Sequence, residues 1–251
     1  MIVDSHVHVG QFYDRYFSPT FVSRLMSSVG VNYYAVSSTT MCDEDYPQVL
    51  SEIKELIALD CERVLPVMWI TPYGLKGSIA WFLESDVAWR CLKVHPFLHP
   101  NDWAPCGSQF CEVIDIAREL HIPLLIHTGD DECCQCGRYE KMIAENADVN
   151  FILAHGQPLE QLMPILRGCA NAYADTAFMP VAQMCQVVNE GLEQKLLWGT
   201  DMCIPKHFFP EVDLVDYYRD KLACFFDACT QSQFDKVTCE NSQKLFNIVA
   251  D

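Results

Sequence analysis

No apolar run in these 251 residues approaches the roughly 20 needed to cross a bilayer. The N-terminus has no basic segment followed by an apolar stretch and a cleavage site, so the chain reads as cytoplasmic. Basic side chains are scarce: 17 Lys and Arg face 34 Asp and Glu, a formal net charge of −17. That shortage argues against nucleic acid or an anionic membrane as partner, because both require clustered cations. A small anionic substrate stays open, since a metal and one or two placed cations dominate a local field. The turn after the first apolar run, Gly10-Gln-Phe-Tyr-Asp14, lacks the glycine pattern that cradles phosphates in open dinucleotide-binding sheets. No linker, repeat or low-complexity tract divides the chain, so one domain is expected over residues 1–251. The partner expected is a small molecule, with assembly into homo-oligomers left open.

Cysteine, by contrast, is abundant. Fourteen cysteines would suggest a disulfide framework in a small exported chain, but this one is neither small nor visibly exported. Cys61, Cys91, Cys169, Cys224 and Cys229 sit singly in apolar contexts, where a reduced thiol is a small hydrophobe. The run Cys133-Cys134-Gln-Cys136 lacks the second pair of a zinc knuckle, which favours a loop of reduced cysteines over a metal clip.

Short apolar runs alternate with helix-like stretches. Strands are expected at residues 2–9, 31–37, 64–70, 91–95, 123–127, 150–155, 172–175 and 195–199. Helical spacing joins Phe21, Leu25 and Val29, then Val49, Ile53, Leu56 and Ile57, then Phe110, Val113, Ile114, Ala117 and Leu120. Pro158 and Pro180 open two further short helices. Eight βα units in about 250 residues is the size of an α/β TIM (β/α)8 barrel. The tail from Thr230 to Asp251 reads as one extra C-terminal helix packed on it.

His6 and His8 lie two apart on the first strand, so both imidazoles leave the same face. His127, His155 and Asp201 end the fifth, sixth and eighth strands, and Lys93 and His95 share one face of the fourth. Singly, each has a bland structural explanation. Together, at the end where barrel active sites sit, they form a polar cluster whose desolvation cost a divalent cation would offset. Imidazole and carboxylate donors with an open position describe a catalytic metal site, zinc foremost. Asp4 shares the face of the histidine pair but one layer deeper, and reads as a buried hydrogen-bonding carboxylate. His99, His121 and His207 receive no role.

The elements Asp4-Ser-His-Val-His8, Leu92-Lys-Val-His-Pro96, Ile126-His-Thr128, Leu153-Ala-His-Gly156, Tyr173-Ala-Asp-Thr176 and Trp198-Gly-Thr-Asp201 occur in an order that resembles the amidohydrolase superfamily, in particular its amidohydrolase-2 branch. A tail helix containing Asn241 extends the likeness to nearly the whole chain. The resemblance implies metal ligands at His6, His8, His127 and Asp201. It implies proton transfer by Asp201, and either a second-metal or a polarising, proton-shuttling role for His155. Lys93 stands where binuclear members carry a bridging carboxylated lysine or a glutamate: one ion is implied, or two if Lys93 is carboxylated. Left free, Lys93 would place a cation near substrate.

The implied activity is metal-dependent hydrolysis of an amide, ester or lactone carbonyl by activated water. The alternative keeps the site and changes the reaction to non-oxidative decarboxylation of an unsaturated or aromatic acid, with Lys93 and Arg138 clamping the carboxylate. Hydrolysis is favoured because the long insertions of the family's decarboxylases are missing. A third reading, a structural metal or a metal-responsive binding protein, would show a closed coordination shell.

Overall fold

Val, Ile and Leu crowd the strands of this chain because each strand is buried on both faces, as in any sheet covered by crossover helices. The computed structural model describes residues 1–77 and 79–248; residues 78 and 249–251 of the expected domain and tail fall outside the described residues. The strands are β1 (Val3–Phe12), β2 (Arg15–Phe17), β3 (Tyr33–Ser38), β4 (Val64–Trp69), β5 (Cys91–Val94), β6 (Leu124–His127), β7 (Phe151–Ala154), β8 (Ala172–Asp175) and β9 (Leu196–Leu197). Their order is β2-β1-β3-β4-β5-β6-β7-β8-β9. Every pairing is parallel except β1 with β2.

The ring closes between its first and last members. Ser5 N donates to Trp198 O at 2.8 Å and Asp201 N to His6 O at 2.8 Å. Val7 forms a parallel bridge with Met202. Eight parallel strands thus make the expected TIM barrel. Its last strand is shorter than the sequence suggests: regular pairing with β8 stops at Leu197, and the backbone then turns to β1 for its hydrogen bonds.

Helices return the chain between strands: α1 (Pro19–Ser28), α2 (Tyr46–Leu59), α3 (Ser108–Leu120), α4 (Leu159–Gly168), α5 (Val181–Asn189) and α6 (Leu214–Ala228) are those of nine or more residues among the described ones. Helix α1 starts where Ser18 Oγ accepts from Phe21 N at 3.2 Å and Pro19 supplies a preset φ. Its buried face is Val22, Leu25 and Met26. Phe21, expected on that face, is 43% exposed. Pro158 and Pro180 cap α4 and α5 as expected. The tail is helical but broken into two short α-helices, Gln231–Asp235 and Asn241–Leu245, around a π-turn at Lys236–Glu240. Among the described residues no helix is long and apolar enough to cross a membrane.

Candidate active site at the barrel mouth

The first strand delivers His6 and His8 to the barrel interior, 2% and 3% exposed. What matters is which ring nitrogen each leaves free. His6 Nδ1 lies 2.9 Å from Asp175 Oδ2, and His8 Nδ1 lies 3.2 Å from Ser37 O. A carboxylate can only accept, so His6 Nδ1 carries the hydrogen and its Nε2 presents a lone pair; His8 Nδ1 also lies 3.1 Å from the Ser37 hydroxyl, which can donate as well as accept. Both Nε2 atoms converge on Asp201: Oδ1 is 3.3 Å from His6 Nε2 and 2.8 Å from His8 Nε2. Asp201 Oδ1 is buried and accepts no hydrogen bond. Two imidazole nitrogens and one carboxylate oxygen therefore converge on one point, a donor set that suits a cation.

Lys93, 2% exposed, reaches the same point, with Nζ 3.1 Å from His6 Nε2 and 3.2 Å from His8 Nε2 and 4.6 Å from the Trp69 ring centroid. Burial lowers its pKa to about 8. Burial likewise lowers that of His8 to about 3, with the Lys93 charge adding to the effect. For Asp201 burial would raise the pKa, but its interactions with His6 and His8 outweigh it and hold the carboxyl well below its usual range. The oxygen is ready to accept.

Asp175, at the end of β8, belongs to this site although the sequence reading gave it no role. Its Oδ1 accepts from His155 N at 3.0 Å and Ala177 N at 2.9 Å, and its Oδ2 fixes the His6 tautomer. Its strand-end position was the available signal. His6, His155 and Asp175 also lie close enough to share an ion, as do His6, His8 and Asp201. Only the second group has unspent donors, because Asp175 is fully engaged. His6, His8 and Asp201 thus fit a divalent cation with imidazole and carboxylate preferences.

His155 turns its Nδ1 to Ala177 O at 3.1 Å and its Nε2 to His127 Nδ1 at 3.2 Å. His127 is held by stacking on His95, with ring centroids 3.7 Å apart, and stands outside the tight His6–His8–Asp201 group. Burial lowers the pKa of His155, and that of His127 well below the usual value, so both are neutral. The backbones of His155 and Asp201 both adopt left-handed φ, 67° and 58°. That conformation is disfavoured for side chains with a Cβ and collects at functional turns. Asp4, fully buried, accepts from Thr200 Oγ1 at 2.6 Å and His6 N at 3.1 Å, the structural carboxylate expected of it.

Above this floor opens a cavity of about 980 Å³. His8, Lys93, His127, His155 and Asp201 all line it. Arg138 does not: it is exposed on the loop after β6 and donates to Glu132 O at 3.1 Å. His207, dismissed on sequence, stacks on Tyr13 at 4.8 Å and forms part of the rim. The Cys133–Cys136 loop contributes no shared donor group among the described residues, and its thiols are free.

A closed α/β barrel with histidine and aspartate donors at the C-terminal strand ends is the layout of a metal-assisted barrel enzyme. The chain belongs to the amidohydrolase family, whose profile matches residues 3–248. Solved structures share the fold. An amidohydrolase from Burkholderia multivorans with bound zinc is 11% identical, covers 99% of this chain and 100% of its own, and has a TM-score of 0.73. A probable 2-pyrone-4,6-dicarboxylic acid hydrolase from Acinetobacter baumannii is 10% identical over 98% of this chain and 99% of its own, with a TM-score of 0.67. The 5-carboxyvanillate decarboxylase from Sphingomonas paucimobilis is 13% identical over 99% of each chain, with a TM-score of 0.68. A comparison of the sequence with curated proteins finds no match.

Proposed function

We propose that this chain is a metal-dependent hydrolase acting on an amide, ester or lactone carbonyl of a small molecule. The carrying observation is the convergence of His6 Nε2, His8 Nε2 and Asp201 Oδ1 at the floor of an open cavity. A divalent cation held there, zinc foremost, would supply Lewis acidity and lower the pKa of a water from 15.7 toward about 7. Asp201, kept ionised by its imidazole neighbours, takes the proton of the attacking water and returns it to the leaving group. His155, neutral with Nε2 as acceptor, takes up that proton in transit, with His127 Nδ1 held 3.2 Å from the same nitrogen. Lys93 provides the positive charge toward which the carbonyl oxygen develops its negative charge.

Decarboxylation of an aromatic acid is the second reading, supported by the decarboxylase among the structural neighbours. It needs a cationic clamp, and of its two candidates only Lys93 faces the cavity. The reactions separate by product: hydrolysis incorporates oxygen from labelled water, whereas decarboxylation releases carbon dioxide. Asp201→Asn should retain bound metal, by elemental analysis, and lose activity by roughly 10³-fold or more, within the range of a lost general base. Full turnover in a metal-loaded Asp201→Asn protein would sink the assignment.

A further inference from the structure

The cavity wall has a charge character of its own. Among its described residues it holds a single lysine, Lys93, at the floor, and no arginine. Asp43, Asp130 and Asp131 line the outer part, exposed and without an ion-pair partner among the described residues. The exposed rim of the lining is aromatic. Tyr13, Phe97, Phe208 and Phe209 are 71%, 49%, 59% and 54% exposed although they border a concave site. Exposed rings concentrated around one cavity mark surface that a ligand covers. Aromatic faces combined with uncompensated carboxylates attract a positive charge and disfavour a negative one. The buried, unpartnered Asp201 Oδ1 aims into the same cavity and anchors its reacting end.

We infer that the pocket selects a substrate with a flat apolar body whose end remote from the scissile carbonyl is cationic, an aryl- or alkylammonium group, and that it rejects dicarboxylates. The inference rests on the hydrolase reading for which end reacts, and on the wall alone for charge selection. Lys93 is spent at the floor, so a second carboxylate at the mouth would meet Asp43, Asp130 and Asp131 with no counter-charge. An ammonium there gains the field of three carboxylates and the faces of the rim rings.

Calorimetric titration of the metal-loaded protein with phenyltrimethylammonium, benzyl alcohol and benzenesulfonate tests this directly. The three probes share a ring, differ in charge and ligate metal weakly. Phenyltrimethylammonium should bind roughly tenfold or more tightly than benzenesulfonate, with the neutral probe between, as cation–π and surface Coulomb effects together allow. The preference should shrink with added salt. The double variant Asp130→Lys, Asp131→Lys should invert or abolish the order. Equal or tighter binding of benzenesulfonate to the natural protein overturns the inference, as does an order the double variant leaves untouched. Failure of the hydrolase reading looks different: the cation binds selectively, but no ester, amide or lactone is cleaved.

Discussion

The barrel carries a polar cluster at each end, one half-buried and one buried, and the two are built on opposite principles. At the N-terminal end of the strands, Asp60 accepts from Arg63 Nε at 2.7 Å, Tyr34 Oη at 2.8 Å and Ser23 Oγ at 3.3 Å, while Arg63 also donates to Val31 O at 3.1 Å. Each acceptor there has a donor. At the C-terminal end, His6, His8 and Asp201 bring their metal-type donor atoms together, with only the Lys93 amine against the imidazoles. The first arrangement is complete within the chain and holds α1, α2, β3 and β4 together. The second is incomplete without a cation, and the fold imposes it through closure of the barrel, because the same Asp201 whose carboxylate faces the histidines donates its N–H to His6 O. Conserving energy at one end and leaving it unspent at the other is how a rigid scaffold serves a reactive site.

The sharpest way to break the contrast is to damage the supporting residue of the open cluster. Asp175→Asn places an amide nitrogen against His6 Nδ1, which then accepts rather than donates and moves its proton to Nε2. Metal affinity should fall about 10- to 100-fold, the usual cost of a lost outer partner. A chelator-competition titration measures it, and unchanged affinity would disconnect Asp175 from the site. The matching injury at the closed end is Asp60→Ala, which strands the Tyr34 and Ser23 hydroxyls and the Arg63 guanidinium. Discounted for the partly exposed arginine, the cost should be about 2 kcal/mol. That is a Tm drop of roughly 5 °C for a chain of this size. Metal affinity should not move, and a common response of both readouts to either variant would mean the two ends are coupled.

Lys93 tests how the open cluster is held before metal arrives. Its amine occupies the space an ion would take, so Lys93→Met should tighten metal binding by at least roughly tenfold, since cations about 4 Å apart repel by several kcal/mol even at an effective dielectric near 20. Weaker binding in that variant would instead indicate a lysine that ligates, bridging two ions.

Much of this was legible in the sequence because barrel strands end where chemistry happens. An apolar run closing on His, His or Asp reports both the strand and the mouth residue, which placed His127, His155 and Asp201 on the cavity wall without coordinates. Three features escaped. The edge strand β2 is three residues long, too short for any alternation to register. Helix α6 buries Leu214, Tyr218 and Phe225 but half-buries residues on other faces, so its periodicity blurs. The rim rings and Arg138 sit on βα loops, and where a loop side chain points depends on turns such as Phe178 at φ 53° that only tertiary packing fixes. The sequence therefore exposes the reacting end of the pocket and hides the selecting end.

The closed cluster can also be probed by pH with a single oxygen removed. Burial, and then the hydrogen bond to Asp60, raises the Tyr34 phenol above its usual pKa of 10.0. The folded state thus keeps the proton where the unfolded chain releases it. The sign follows: the stabilisation is fully present below pH 10 and is lost as pH rises above it. Tyr34→Phe gives up the bond to Asp60, costing about 1 kcal/mol near neutrality. The variant should also lose stability less steeply than the parent above pH 10. The slope should be reduced and not abolished, because Tyr218 is buried and shifted the same way. Denaturant unfolding across pH 8 to about 11 checks both parts. An identical slope in parent and variant would show that the phenol ionises freely, and with it that the lower cluster is less closed than its hydrogen bonds describe.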